Sequence, residues 1–232
     1  MDVKPKDNPA PALVRTVTAQ EVKQLREQTG AGWMDCKAAL KEAGGDVEQA
    51  VTLLRKKGMA AAQKKAGRAT SEGVVGSYLH AGDKIGVLVE VNCESDFVAR
   101  TPEFRQLVHD LAMHICAADP RFIRREEVTP EILAQEREIY RAQAAGKPEK
   151  VVEKIVAGKL DKFYAENCLY EQHFIKDDKV TIRELIDTLI AKVGENITVR
   201  RFARFKVGES ATAAESSPRP GPAAAGRGEP TR

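Results

Sequence analysis

Residues 74–79, Val-Val-Gly-Ser-Tyr-Leu, and residues 85–91, Ile-Gly-Val-Leu-Val-Glu-Val, flank the small residues Ala81-Gly82-Asp83. Both runs are short and apolar, and turn-forming residues join them, so the spacing predicts a β-hairpin. Every other strong pattern before residue 190 has the helical period. The hairpin therefore decides the fold class: α+β, with helices first and a sheet opening a second domain.

Working toward the N-terminus, Met59 to Arg68 is rich in Ala and Lys and polar on most faces, which predicts a helical linker over 58–72. Before it, residues 16–57 hold three short helices. Thr18 and Glu21 form a capping box ahead of Val22 and Leu25, and Gly30 stops that helix. Gly30-Ala31-Gly32 turns into a second helix with Met34, Ala38 and Leu40 as its apolar residues, and Gly44-Gly45 closes it. Asp46 caps a third, in which Val47, Ala50, Val51 and Leu54 fall on one face.

Toward the C-terminus, Thr101-Pro102-Glu103 starts a helix with the stripe Phe104, Leu107, Val108, Leu111, Ile115. Thr129-Pro130 opens another that runs to Gly146, and Pro148 starts one more through Val152, Ile155 and Val156. Thr181 and Glu184 cap a last helix that stops at Gly194. Ile197 to Val207 reads as a strand, with a bulge or twist where Phe202 and Phe205 fall out of phase across Arg200-Arg201. A core domain of antiparallel strands packed with helices is thus expected over 73–207. Residues 1–15 and 208–232, rich in Pro, Ala, Gly and Ser, are expected to be disordered tails.

With 232 residues, 42% of them hydrophobic, the chain can bury a real core. The 37 basic against 34 acidic residues leave a net charge of only +3, too even for a dedicated nucleic-acid binder. Cys36, Cys93, Cys116 and Cys168 are widely separated, no apolar run resembles a signal or membrane span, and reduced thiols in a cytoplasm are expected. A zinc site of Cys93 with His80 or Cys36 lacks the paired spacing that such sites show. Walker loop, GxGxxG, GxSxG and HExxH signatures are all absent from the chain, so no catalytic residue, metal ligand or cofactor is assigned. The basic runs Arg55-Lys56-Lys57 and Lys64-Lys65 lack interleaved aromatics and read as a solvated face.

One segment stands apart. Cys93-Glu94-Ser95-Asp96-Phe97-Val98-Ala99-Arg100 joins a strand end to a helix and sets an acidic residue beside a large aromatic. Either Asp96 caps a turn while Phe97 plugs the core, the commoner fate of an aromatic, or both reach into a partner.

Leu25-Arg26-Glu27-Gln28-Thr29-Gly30-Ala31-Gly32 followed by Met34-Asp35-Cys36-Lys37 resembles the N-terminal signature of the elongation factor Ts family, and Glu94-Ser95-Asp96-Phe97-Val98 its second signature. The likeness continues through Glu72-Gly73, Lys84-Ile85-Gly86-Val87, Glu171-Gln172 with Phe174, and Gly194-Glu195-Asn196-Ile197 before Arg200-Arg201, covering about residues 16–208. Trp33 stands where Met is common in the family, Ser95 where Thr is, and His173 where Pro often occurs.

The resemblance implies a UBA-like (ubiquitin-associated-like) N-terminal three-helix bundle and an exchange factor without covalent chemistry. Its partner would be GDP-bound elongation factor Tu. Asp96 and Phe97, shaped by Ser95 and Val98, would enter that partner near its magnesium. Leu25, Arg26, Gly30, Gly32, Met34 and Asp35 would dock the bundle on it. The chain is similar to the family's short form, without a second core half or long coiled-coil insertion, and such forms are expected to pair as homodimers. No direct contact with nucleic acid or membrane is expected. The rival readings are an RNA-binding protein using the Lys-Arg linker and a UBA-type adaptor. Neither accounts for Asp96-Phe97 occurring together with Gly194-Glu195-Asn196-Ile197.

Overall fold

The computed structural model describes residues 16–209. The expected tails, 1–15 and 208–232, lie outside them but for Gly208 and Glu209. The fold is α+β, and the chain divides into two compact units between Ala60 and Ala61.

The first unit holds α1 (Ala19–Thr29), α2 (Trp33–Glu42) and most of α3 (Val47–Gln63). Thr18 and Glu21 make the capping box: the Thr18 hydroxyl accepts the Glu21 amide at 3.3 Å, and the Glu21 carboxylate accepts the Thr18 amide at 2.8 Å. Gly30 then ends α1 in the left-handed region at φ 67°, where a side chain would be strained. Asp46 caps α3 by accepting the Gln49 amide. Val22, Leu25, Cys36, Ala39, Leu40 and Ala50 form the core. Here the sequence reading needs correction: α2 buries Cys36, Ala39 and Leu40, whereas Ala38 and Met34 are exposed. The short helix enters from a glycine turn, so its inward face is fixed by packing on α1 and not by its own sparse apolar pattern.

The second unit is built on an antiparallel sheet of β1 (Glu72–Leu79), β2 (Ile85–Cys93) and β5 (Ile197–Lys206), in the order β1-β2-β5. Asp83 and Gly82, both at positive φ, close the expected hairpin. In the β2–β5 ladder Glu90 faces Arg201 but Val91 faces Val199, so Arg200 is the extra residue of a bulge where phase was lost in the sequence. The inner face, Val87, Val89, Val91, Cys93, Ile197 and Val199, packs on α5 (Pro102–Ala118). The approach is close: a Cβ on Gly76 would come within 2.3 Å of Val108. Thr101 caps α5, as Thr181 and Glu184 cap α8 (Ile182–Val193).

Three features differ from the sequence reading. The linker expected to be helical over 58–72 is helix only to Gln63; turns follow, and Glu72 already begins β1. Ala62 at its end is buried in the second unit's core. Helices α6 (Pro130–Gln143) and α7 (Glu149–Asn167) form a hairpin with its own seam of Ala144, Val152, Val156 and Leu160, so a paired-helix arm is present although the short-form likeness implied no long coiled coil. A two-stranded ribbon, β3 (His173–Phe174) with β4 (Asp177–Thr181), has too few and too polar residues to show a strand period.

Candidate functional site

Strand β2 ends at Cys93, and the chain turns through Glu94 and Ser95 into the four-residue helix α4 (Asp96–Ala99). Ser95 is the N-cap residue, but its side chain caps nothing. Its hydroxyl donates to Glu195 Oε1 at 2.6 Å, and its backbone N–H donates to Glu195 Oε2 at 3.0 Å. In return, Glu94 Oε1 accepts the backbone N–H of Asn196 at 2.6 Å. Val98 and Ala99 are buried, and Thr101 closes the turn by donating its hydroxyl to the Val98 carbonyl at 2.8 Å.

Alternation around one helical turn therefore points Val98 inward and Phe97 outward. Phe97 is 82% exposed, so the core-plug reading is wrong. Its neighbour Asp96 pairs with Arg100 at 2.6 Å, a contact at the surface with water on both side chains. The result is an apolar ring beside a carboxylate on a turn whose other side chains are anchored.

The structure places the first unit's named residues less uniformly. Arg26, Gly30, Gly32, Met34 and Asp35 are exposed, Met34 at 70%, around the α1–α2 turn. Gly32 has a steric reason, because a Cβ there would lie 2.9 Å from the Asp35 carboxylate. Leu25 is fully buried. It holds α1 in the core, and its assignment as a direct docking contact is corrected accordingly. Trp33 is partly exposed next to Met34.

A family model described as Elongation factor TS matches residues 12–209. The Elongation factor Ts of Koribacter versatilis is 64% identical over 195 residues, covering 83% of this chain and 89% of that protein. That of Geobacter sulfurreducens is 60% identical over 203 residues, 87% and 94% of the two chains, and that of Moorella thermoacetica 60% over 201 residues, 86% and 99%.

The chain belongs to the elongation factor Ts family.

That makes it a translation elongation factor. Within this elongation factor Ts fold, Gly194-Glu195-Asn196-Ile197 belongs to the family likeness, and its sequence alone points to no task. The structure brings it against the second signature, with Glu195 and Asn196 bonded to Ser95 and Glu94. No local signal in the chain reveals a contact between residues a hundred positions apart.

The four cysteines are free and buried. Burial, with help from Glu195, pushes the Cys93 thiol up to about 11, and burial with Glu171 pushes Cys168 up to about 12. Neither is a nucleophile at neutral pH. Among the described residues no group of three or more His, Cys, Asp or Glu is placed to hold a metal ion, and no helix is long and apolar enough to cross a membrane.

Proposed function

We propose that the chain is a guanine-nucleotide exchange factor in the cytoplasm, which binds GDP-loaded elongation factor Tu and promotes GDP release without covalent chemistry. The observation that carries this reading is the exposed Phe97 beside Asp96 on an anchored turn. A large aromatic held out in water is a poised binding element.

Asp96 and Phe97 act as a wedge at the partner's magnesium and phosphates. Magnesium requires a near-ideal octahedron of oxygens, so small displacements of its surroundings cost much of its binding energy. Ser95 and Val98 hold the wedge from behind. Burying one Phe is worth roughly 1.5–3 kcal/mol, whereas a ten-thousandfold faster release needs about 5.4 kcal/mol at 1.36 per decade. Phe97 therefore works together with other contacts. The exposed Arg26, Gly30, Gly32, Met34 and Asp35 of the UBA-like first unit supply docking, with Leu25 supporting them from inside. Coupling is reciprocal: the factor by which this chain weakens GDP binding is the factor by which nucleotide weakens its own, and incoming nucleotide releases it.

A second copy of the chain is the natural partner for the outer face of the three-stranded sheet. That face exposes Val75, Leu79, Leu88 and Phe205, apolar side chains that a second sheet could cover. Pairing there gives a homodimer, and a dimer that survives Leu88→Glu in sedimentation would place the contact elsewhere.

The direct test is stopped-flow release of fluorescent GDP from a bacterial elongation factor Tu at physiological magnesium. Concentration-dependent acceleration is expected; none with a matched partner would return the chain to the adaptor or RNA-binding readings.

A further inference from the structure

We propose that Glu195 is a positioning residue for exchange: from the turn between α8 and β5 it holds the corner of β2 and α4 so that Phe97 is presented at one angle. This rests on the reading of Phe97 as the wedge.

The last paired residues of the β2–β5 ladder are Cys93 and Ile197. Beyond them side chains take over in a crossed arrangement. The Glu195 carboxylate takes both the N–H and the hydroxyl of Ser95, at 3.0 and 2.6 Å, while Glu94 takes the Asn196 N–H at 2.6 Å. Asn196 is buried and donates its side-chain amide to the Arg68 carbonyl at 2.9 Å. The remaining polar atom of Ser95, its carbonyl, accepts from Cys93 Sγ at 3.1 Å and from the Ala99 amide at 3.3 Å. Every hydrogen-bonding group of Ser95 is thus engaged, two residues before a side chain that is almost wholly in water.

Hydrogen bonds to a carboxylate are about twice as strong as neutral ones, so this anchor resists bending. A wedge that displaces a partner's groups feels an equal push back. If the corner yields, docking energy goes into bending the turn and not into the nucleotide site. The geometry also explains why residue 95 carries a hydroxyl: Ser and Thr alike can donate to Glu195, whereas Ala leaves one carboxylate oxygen without its donor.

Glu195→Ala is expected to lower the limiting rate of GDP release by about tenfold, while the half-saturating concentration stays within about twofold, because the lost interaction matters in the displacing step. Glu195→Gln should keep most of the rate, since its carbonyl oxygen still accepts from Ser95. In the free chain, hydrogen exchange of Glu195→Ala should speed at Ser95, Ala99 and Arg100, whose amides bond Glu195, the Ser95 carbonyl and the Asp96 carbonyl, and stay slow at Ile186 and Ile190 in α8. A wild-type limiting rate, or loss of protection spread through α8, overturns the proposal. Phe97→Ala is measured alongside. If it releases GDP at the wild-type rate, the wedge reading fails and the proposal with it, whereas a slow Phe97→Ala beside a fast Glu195→Ala removes Glu195 alone.

Discussion

The two signature turns of this chain are built in opposite ways. The α1–α2 turn is local: Gly30 at φ 67°, its N–H bonded to the Arg26 carbonyl, and Gly32 with Asp35 three residues on. The turn before α4 is held across the chain by Glu195, with Glu94 and Asn196 crossing it. The same contrast runs through the units that carry them. All three buried polar side chains among the described residues, His114, Gln172 and Asn196, belong to the second unit. A locally capped helical unit and a sheet tied by distant polar contacts should respond differently to perturbation.

The largest break is expected from Leu25→Ala. Emptying a fully buried site in so small a core costs about 2–5 kcal/mol, which should unfold the first unit at moderate temperature and leave the second unit's transition in place. Two separate calorimetric transitions would sustain the contrast; a single lowered one would merge the units thermodynamically.

Phe97→Ala should show the converse. Being exposed, Phe97 contributes little to the fold, so melting should shift by no more than about 1 °C while exchange falls about ten- to hundredfold, the equivalent of one buried Phe. A cooperative loss of several degrees would return Phe97 to the core. Gly30→Ala, forcing a Cβ into the left-handed region, should cost the first unit about 1–2 kcal/mol. A denaturation midpoint equal to wild type would show that the α1 end relaxes freely.

This contrast also explains what could be read from the sequence. The hairpin, the start of α5 at Thr101-Pro102, the Thr181 cap of α8 and the bulge at Arg200 all leave marks within a few residues, because caps, turns and strand phase are local chemistry. The inward face of α2 was misjudged, since Cys36 and Ala39 are buried only by their neighbours. At the candidate site the residues were legible as a family likeness, but their division of labour was not. Phe97 defies the usual burial of aromatics, Ser95 turns out to face Glu195, and Leu25 faces the core. Those facts depend on which elements meet, and periodicity carries no record of that.

The smallest effects are those of pH, and they should appear in the second unit. His114 donates from Nε2 to Gln172 Oε1 at 3.0 Å, because the Gln172 amide nitrogen is already committed to the Glu166 carbonyl at 2.7 Å; His114 Nδ1 has no partner. Burial holds its pKa below the ordinary 6.5. The unfolded chain therefore takes up a proton that the folded one resists, so this contribution is intact above about pH 6.5 and is lost as pH falls below it. Asp187 opposes it. Burial on α8 raises its carboxyl from 3.8 to about 6, so the folded state binds the extra proton between those values and stability falls as pH rises through them. Asp187→Asn should thus stabilise the second unit near pH 7.5, give no gain below about pH 4, and leave a steeper acid loss governed by His114. The first unit has no histidine, so it should show no loss of the His114 kind. An Asp187→Asn gain that is equal at both pH values would mean that the substitution acts through packing, and the opposition between the two titrations would go with it.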